Sequence, residues 1–309
     1  MSGKRIPVIL DTDIGTDIDD TWALAMLLRC PELDLKLVTA STGDVEYRAR
    51  LAARFLESTG RADVAVGVGR PTEMKPSHRT QAPWVEGYDL AAYPGRIHDD
   101  GTRALAEAVM SSPEPMTVVA IGPLTTVAAA LELEPAIASH ARFVGMHGSI
   151  AWSHHGKGEA IAEYNVKHDV RAAQRVFAAP WAKTVTPLDT CGRVRLTGAK
   201  YAAVAGSADP LARTVIENYE VWKRSGGWVK EPGVSSILFD CVAVYLAFAE
   251  EMLEMREMKL AVTDDGYTRS DPAGGAVLVA LAWKDLPAFE DLIVERVAGR
   301  HGVAGSRRP

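Results

Sequence analysis

The 309-residue sequence predicts an α/β fold in which a mostly parallel central sheet is flanked by helices. Two observations carry this. Up to about residue 190, short apolar runs rich in Val, Ile and Leu alternate with longer runs of helical periodicity. Gly, Pro, Asp and Ser punctuate the joints between them. That alternation is the pattern of strand–helix–strand units, whose strands pair in parallel and are buried on both faces.

The elements follow in order. "IPVIL" reads as a buried strand, and "TWALAMLLRC" as a helix stopped by Pro31. "LDLKLVTAST" is the second strand, and "EYRARLAARFLESTG" a helix closed by Gly60. "VAVGVG" is a strand, "TRALAEAVMSS" a helix, "MTVVAIG" a strand and "TTVAAALELEP" a helix. "ARFVGMHG", "VRAAQRVFAA" and "AKTVTPLD" then read as strand, helix and strand. Beyond residue 195 helices predominate. "MKLAVTDDGYTRS" is a strand entering a turn, "GGAVLVALAW" its return, and "PAFEDLIVERVAG" a last helix. Residues 70–100 and 147–165 are irregular and rich in Gly, Pro, His and Trp, as function-bearing loops often are. No linker or repeat interrupts the pattern, so residues 1–309 read as one domain, with about 303–309 as a frayed tail.

Composition bounds the function. A net charge of −6 disfavours nucleic-acid and anionic-membrane partners. No apolar run approaches membrane-spanning length. Cys30, Cys191 and Cys241 form no CxxC pair, so neither a disulfide framework nor a thiolate zinc site is indicated. The start reads as a first strand rather than a signal peptide, and a cytoplasmic setting is expected.

The chemistry is concentrated in "DTDIGTDIDDTWALAML", residues 11–27. Asp11, Asp13, Asp17, Asp19 and Asp20 lie at the carboxyl end of the first strand, where open parallel sheets bind ligands. Helix capping accounts for one or two of them. A hard cation accounts for more, since calcium and magnesium take carboxylate oxygens and like charges raise each other's pKa. A calcium-binding EF-hand loop beginning at Asp11 fails, because Thr16 and Trp22 stand where Gly and Glu are needed. An aspartyl-phosphate phosphatase motif fails at Gly15, where Thr is needed.

The stretch resembles the opening motif of the nucleoside hydrolases, Asp-x-Asp-x-Gly followed by an Asp-Asp pair running into an apolar helix. Two extra residues separate Gly15 from Asp19–Asp20 here. Three further segments match in order: "VVAIGPLTTVAAAL", "AIAEYNVKHD" and "SSILFDCVAVYLAF". The resemblance implies a Rossmann-like nucleoside hydrolase fold, a calcium ion, a nucleoside substrate, hydrolysis of the N-glycosidic bond to base and ribose, and a homodimer or homotetramer. It implies calcium ligands at Asp13, Asp20, Asp240 and the Ile121 carbonyl. Asp19, pointing away from the ligand set, is the expected general base, with Asp17 its rival, and Asp11 orients groups from behind. Asp44, Met146, Glu163 and Asn165 are expected at the ribose. Trp152, His154, His155, Tyr164, Tyr219, Trp222, Trp228 and Phe239 are expected on the side of the leaving base.

Two departures stand out. Many members carry a proton-donating His just before the late Asp; here it is Phe239. An Asn near the ribose is replaced by Asp44. A non-catalytic nucleoside- or sugar-binding protein on the same fold is the alternative, with a metal-dependent phosphohydrolase behind it.

Overall fold

The computed structural model describes residues 4–299. The chain runs β1 (Ile6–Thr12), α1 (Asp19–Leu28), β2 (Leu33–Ala40), α2 (Val45–Ser58), β3 (Ala65–Val68) and β4 (Ile97–His98). It continues through α3 (Gly101–Ser111), β5 (Met116–Ala120), α4 (Thr125–Leu133), α5 (Ile137–His140), β6 (Ala141–Met146), α6 (Tyr164–His168), α7 (Val170–Ala178) and β7 (Lys183–Thr186). It ends with α8 (Leu188–Cys191), α9 (Gly198–Ala205), α10 (Pro210–Arg224), α11 (Phe239–Leu246), β8 (Leu253–Val262), β9 (Thr268–Ser270), β10 (Gly275–Trp283) and α12 (Leu286–Ala298). The expected frayed tail lies outside the described residues. Among those described, no helix is long and apolar enough to cross a membrane.

One sheet gathers the strands in the order β4-β3-β2-β1-β5-β6-β7-β10-β8-β9. From β4 to β7 every pairing is parallel, as the apolar runs predict. The chain winds outward from β1 to β4, then returns to lay β5 on the other flank of β1. That reversal leaves a crevice beyond the carboxyl ends of β1 and β5, the place where such sheets hold ligands.

The period-two alternation of strand side chains divides the core. Val8 and Leu10 face one way, into a cluster with Trp22 and Met26 of α1 and Val242 of α11. Ile9 faces the other way, among Leu105 of α3, Val127 of α4 and Val176 of α7. Phe143 of β6, fully buried, stacks on Trp181 with ring centroids 5.4 Å apart.

Sequence and structure differ at three places. Helix α1 starts at Asp19, not Thr21, so the Asp-Asp pair forms its first turn, where carboxylates are favoured by unpaired N–H groups. Strand β8 starts at Leu253, five residues early, because Leu253 still pairs with Trp283 of β10. The irregular stretch 70–100 holds three 3-10 turns and the short β4, anchored by buried Trp84 and Tyr93.

Replacing Phe143 by Ala removes a ring from a closely packed site. We expect a loss of about 3–5 kcal/mol, read as a lower urea midpoint at unchanged m value.

Candidate active site

The site is built at the crevice between β1 and β5. The loop leaving β1 turns sharply at Gly15, whose φ is +116°. A Cβ there would stand 2.6 Å from Leu51 Cδ1 and 2.7 Å from Tyr47 Cε1, so only glycine fits. Gly122, after β5, is equally close to the other side: its Cβ would lie 2.7 Å from the Asp13 nitrogen. The absence of side chains at these two positions brings Asp13 and the Ile121 carbonyl to one wall.

Arg48 of α2 straps this loop down. Its Nε donates to the Thr42 carbonyl (2.7 Å), Nη1 to the Ile14 carbonyl (3.0 Å) and Nη2 to Thr16 Oγ1 (3.1 Å). Nη2 also lies 3.6 Å from Asp13 Oδ2, and both side chains are buried. The stretch 70–100 completes the strap. Thr80 Oγ1 donates to the Thr16 carbonyl (2.7 Å) and Gln81 Nε2 to the Asp17 carbonyl (2.8 Å).

Three carboxylates meet on this wall. Asp19, Asp20 and Asp240 each present an oxygen within 4.8 Å of the others, and all three are buried. The expectation that Asp19 points away from the ligand set is corrected. Its place in the first turn of α1, beside α11, turns it toward Asp240. Thr12 Oγ1 donates to Asp20 Oδ1. Burial, then repulsion from neighbouring aspartates, raises the pKa of Asp19, Asp20 and Asp240 well above the usual carboxylate range. Asp13 is raised by burial and held back by Arg48. Hard oxygen donors massed out of water in this way suit a divalent cation such as calcium.

Asp11 lies behind the wall. It accepts from Thr39 Oγ1, its Oδ2 has no partner, and burial pushes it up to about 7. Asp17 stands at the mouth. It accepts from the Ile18 N–H (2.8 Å) and from Trp228 Nε1 (3.1 Å), and burial pushes it up to about 6.

A cavity of about 1010 Å³ opens in front of these groups. Its far wall is α6. Glu163 caps that helix, accepting from the Asn165 N–H (2.7 Å), the Gly148 N–H (3.0 Å) and the Val166 N–H (3.2 Å). Burial pushes Glu163 up to about 7. Asn165 Nδ2 donates to the carbonyls of Ile121 (3.1 Å) and Met146 (3.0 Å), which fixes the amide, and the residue lines the cavity. Met146 lines it too.

On the leaving-base side, His154, His155, Tyr164, Trp228 and Phe239 line the cavity. Four expectations are corrected. Tyr219 and Trp222 are buried in α10, where their rings stack 5.7 Å apart; the i, i+3 spacing is core packing. Trp152 is half-exposed and outside the cavity wall. Asp44 caps α2 through the Tyr47 N–H (3.0 Å) and pairs with Arg79, also off that wall.

Sequence reasoning missed Arg48, Lys167 and His168. A lone arginine on the apolar face of α2, four residues after its cap, was the available signal for Arg48. Lys167 and His168 line the cavity from α6, and the His168 ring packs on Tyr164 at 3.7 Å, one helical turn back.

The family model of the inosine-uridine preferring nucleoside hydrolases matches residues 8–289. The chain belongs to this family. A non-specific ribonucleoside hydrolase of Klebsiella pneumoniae is 36% identical over 210 residues, covering 64% of this chain and 66% of the relative. One from Escherichia fergusonii is 33% identical over 203 residues, covering 62% and 64%. The matched part thus spans just under two thirds of these relatives. Among solved structures, a plant nucleoside hydrolase superposes with a TM-score of 0.81 at 22% identity, covering 96% of this chain and 99% of that one. A purine-preferring ribonucleoside hydrolase from Gardnerella vaginalis gives 0.78 at 23%, covering 95% and 98%. These likenesses establish the nucleoside hydrolase fold.

Two outcomes follow. Replacing Arg48 by Met leaves Asp13 buried without its cation and should cost about 3–5 kcal/mol in chemical denaturation. Folded Asp11, Asp17 and Glu163 hold protons more tightly than the unfolded chain, so the chelated protein loses stability as pH rises from about 4 to about 7. Calcium needs ionised carboxylates, so the Tm gap between calcium-loaded and chelated protein should widen over that window. A gap that stays constant or narrows would refute this.

Proposed function

We propose that the protein is a calcium-dependent N-ribosyl hydrolase that cleaves ribonucleosides to free base and ribose. One observation carries the reading. The buried Asp19–Asp20–Asp240 group opens into a cavity that Glu163 and Asn165 also line. The chain's family and its ribonucleoside hydrolase relatives support the same substrate class.

The residues divide the work. Asp20 from α1, Asp240 from α11, Asp13 and the Ile121 carbonyl hold the calcium. Bound there, calcium supplies fixed positive charge that orients sugar hydroxyls and lowers the pKa of a neighbouring water. Asp19 stands in the same carboxylate group and takes a proton from the attacking water. Asp17 has both oxygens engaged, by the Ile18 N–H and by Trp228, and serves to hold the mouth. Asn165 and Met146 pack the ribose against the Ile121 wall. The Glu163 carboxylate adds negative potential where the sugar turns cationic as the C1′–N bond stretches. Exposed Tyr164 and Trp228 offer faces on which a base can stack. Free, buried cysteines are in keeping with a reducing cytoplasm.

The test is ribose release from a panel of nucleosides. Chelation should abolish it and added calcium restore it. Asp240→Asn should lose both calcium binding by calorimetry and activity. Asp19→Asn should lower kcat about 100-fold or more when assayed at saturating calcium. Saturable nucleoside binding without ribose release would instead identify a sensor, the reading kept open by Phe239.

A further inference from the structure

The proposed hydrolysis leaves one chemical demand unmet at the expected position. As the C1′–N bond breaks, its electron pair moves onto the departing base, which leaves far more readily if protonated. Phe239, one residue before Asp240, has no proton to give.

We propose that His154, reaching in from the loop after β6, is the acid that protonates the departing base. This rests on the N-ribosyl hydrolase reading above. The His154 ring stands edge-on to Phe239, with centroids 5.7 Å apart and planes at 77°. Both rings line the cavity. The imidazole thus occupies the space beside residue 239 rather than the position itself. Of the two loop histidines, His154 is the one packed on Phe239.

The loop is built to hold that ring. The buried Asp189 carboxylate at the start of α8 accepts from the N–H groups of Ile150 (2.8 Å), Ala151 (2.8 Å) and Trp152 (3.2 Å). Ser149 Oγ donates to the Trp152 carbonyl (2.7 Å). His155 adopts a left-handed backbone at φ +65°, a conformation a side chain resists. Its N–H donates to the Gly192 carbonyl (3.1 Å), which holds the strained turn in place. Such strain persists only where surrounding contacts over-determine it, and it gathers at working parts of sites. His154 Nδ1 lies 3.4 Å from Ser153 Oγ, leaving Nε2 for the substrate.

The step balances. Nε2–H gives its proton to a base nitrogen as the C1′–N pair departs. Asp19 takes a proton from the water that bonds to C1′. Solvent returns a proton to His154 and removes one from Asp19. The titratable and charged groups of the elements around it are His155 on its own turn, Asp189, whose carboxylate holds the loop backbone, Arg193 beside Gly156, and Asp17, Asp19, Glu163 and Asp240 of the cavity lining. Burial, then the charge of His155, lowers the His154 pKa from its ordinary value.

The experiment compares inosine and uridine with p-nitrophenyl riboside, whose leaving group needs no proton, in calcium-loaded wild type and His154→Gln. On the natural nucleosides, kcat of the variant should fall about 100-fold, and the decline of the wild-type rate toward alkaline pH should vanish. On the nitrophenyl riboside the loss should stay within about threefold, the scale of a lost contact rather than a lost acid. Adding Phe239→His to His154→Gln should recover much of the natural-nucleoside rate. Equal losses on both substrate types, with Tm and calcium binding intact, would overturn the acid role, as would an unchanged inosine rate. If wild type cleaves the nitrophenyl riboside but neither nucleoside, the acid proposal fails while the hydrolase reading stands. If wild type cleaves none of the three, the hydrolase reading fails and takes the proposal with it.

Discussion

Mutual repulsion among buried carboxylates is the constraint around which this molecule is arranged. Asp19, Asp20 and Asp240 are driven together out of water, with Asp13 beside them. Each would be more comfortable exposed or alone. Their proximity is imposed by the packing of α1 on α11 and by the apolar strands beneath, whose burial outweighs the local penalty. Such an arrangement is tolerable when a cation completes it, and the surrounding hydrogen bonds serve to keep the oxygens from relaxing apart.

The scaffolding for that geometry comes from unexpected parts of the chain. Arg48 reaches from the buried face of α2 to four groups of the β1 loop and its neighbours. Thr80 and Gln81 hold the same loop from a segment with little regular structure. The two extra residues between Gly15 and the Asp-Asp pair are therefore pinned: Thr16 and Asp17 each surrender a backbone carbonyl to that segment. What looks like a variable insertion is part of the wall.

Much of this was legible in the sequence. Apolar runs alternating with helical periodicity gave the parallel sheet, and the aspartates at the end of the first strand marked the site. Asp20, Asp240, Ile121, Glu163 and Asn165 converge on one cavity, as the ordered motifs implied. What stayed hidden depends on tertiary direction. The direction in which Asp19 points depends on how the first turn of α1 faces α11, which no spacing rule specifies. Tyr219 and Trp222 look like base-stacking residues until α10 is seen to bury them. Asp44 was read through its homologous position, whereas its chemistry here is that of a cap. Arg48 is hidden because arginines of a helix read as surface, and only packing shows that it, unlike Arg50 and Arg54 of the same helix, is buried.

The carboxylate group also has a bearing on how the chain folds. Asp20 and Asp240 lie 220 positions apart in the sequence, and β10, made last of the strands, slots between β7 and β8. Contacts this distant along the chain are slow to form, because large loops must close before they gain anything. The carboxylate wall is therefore complete only once these distant segments have met. A nascent or truncated chain would carry the acidic cluster of its first helix without the partner that completes it. A cation held there would close on an already assembled fold rather than seed it.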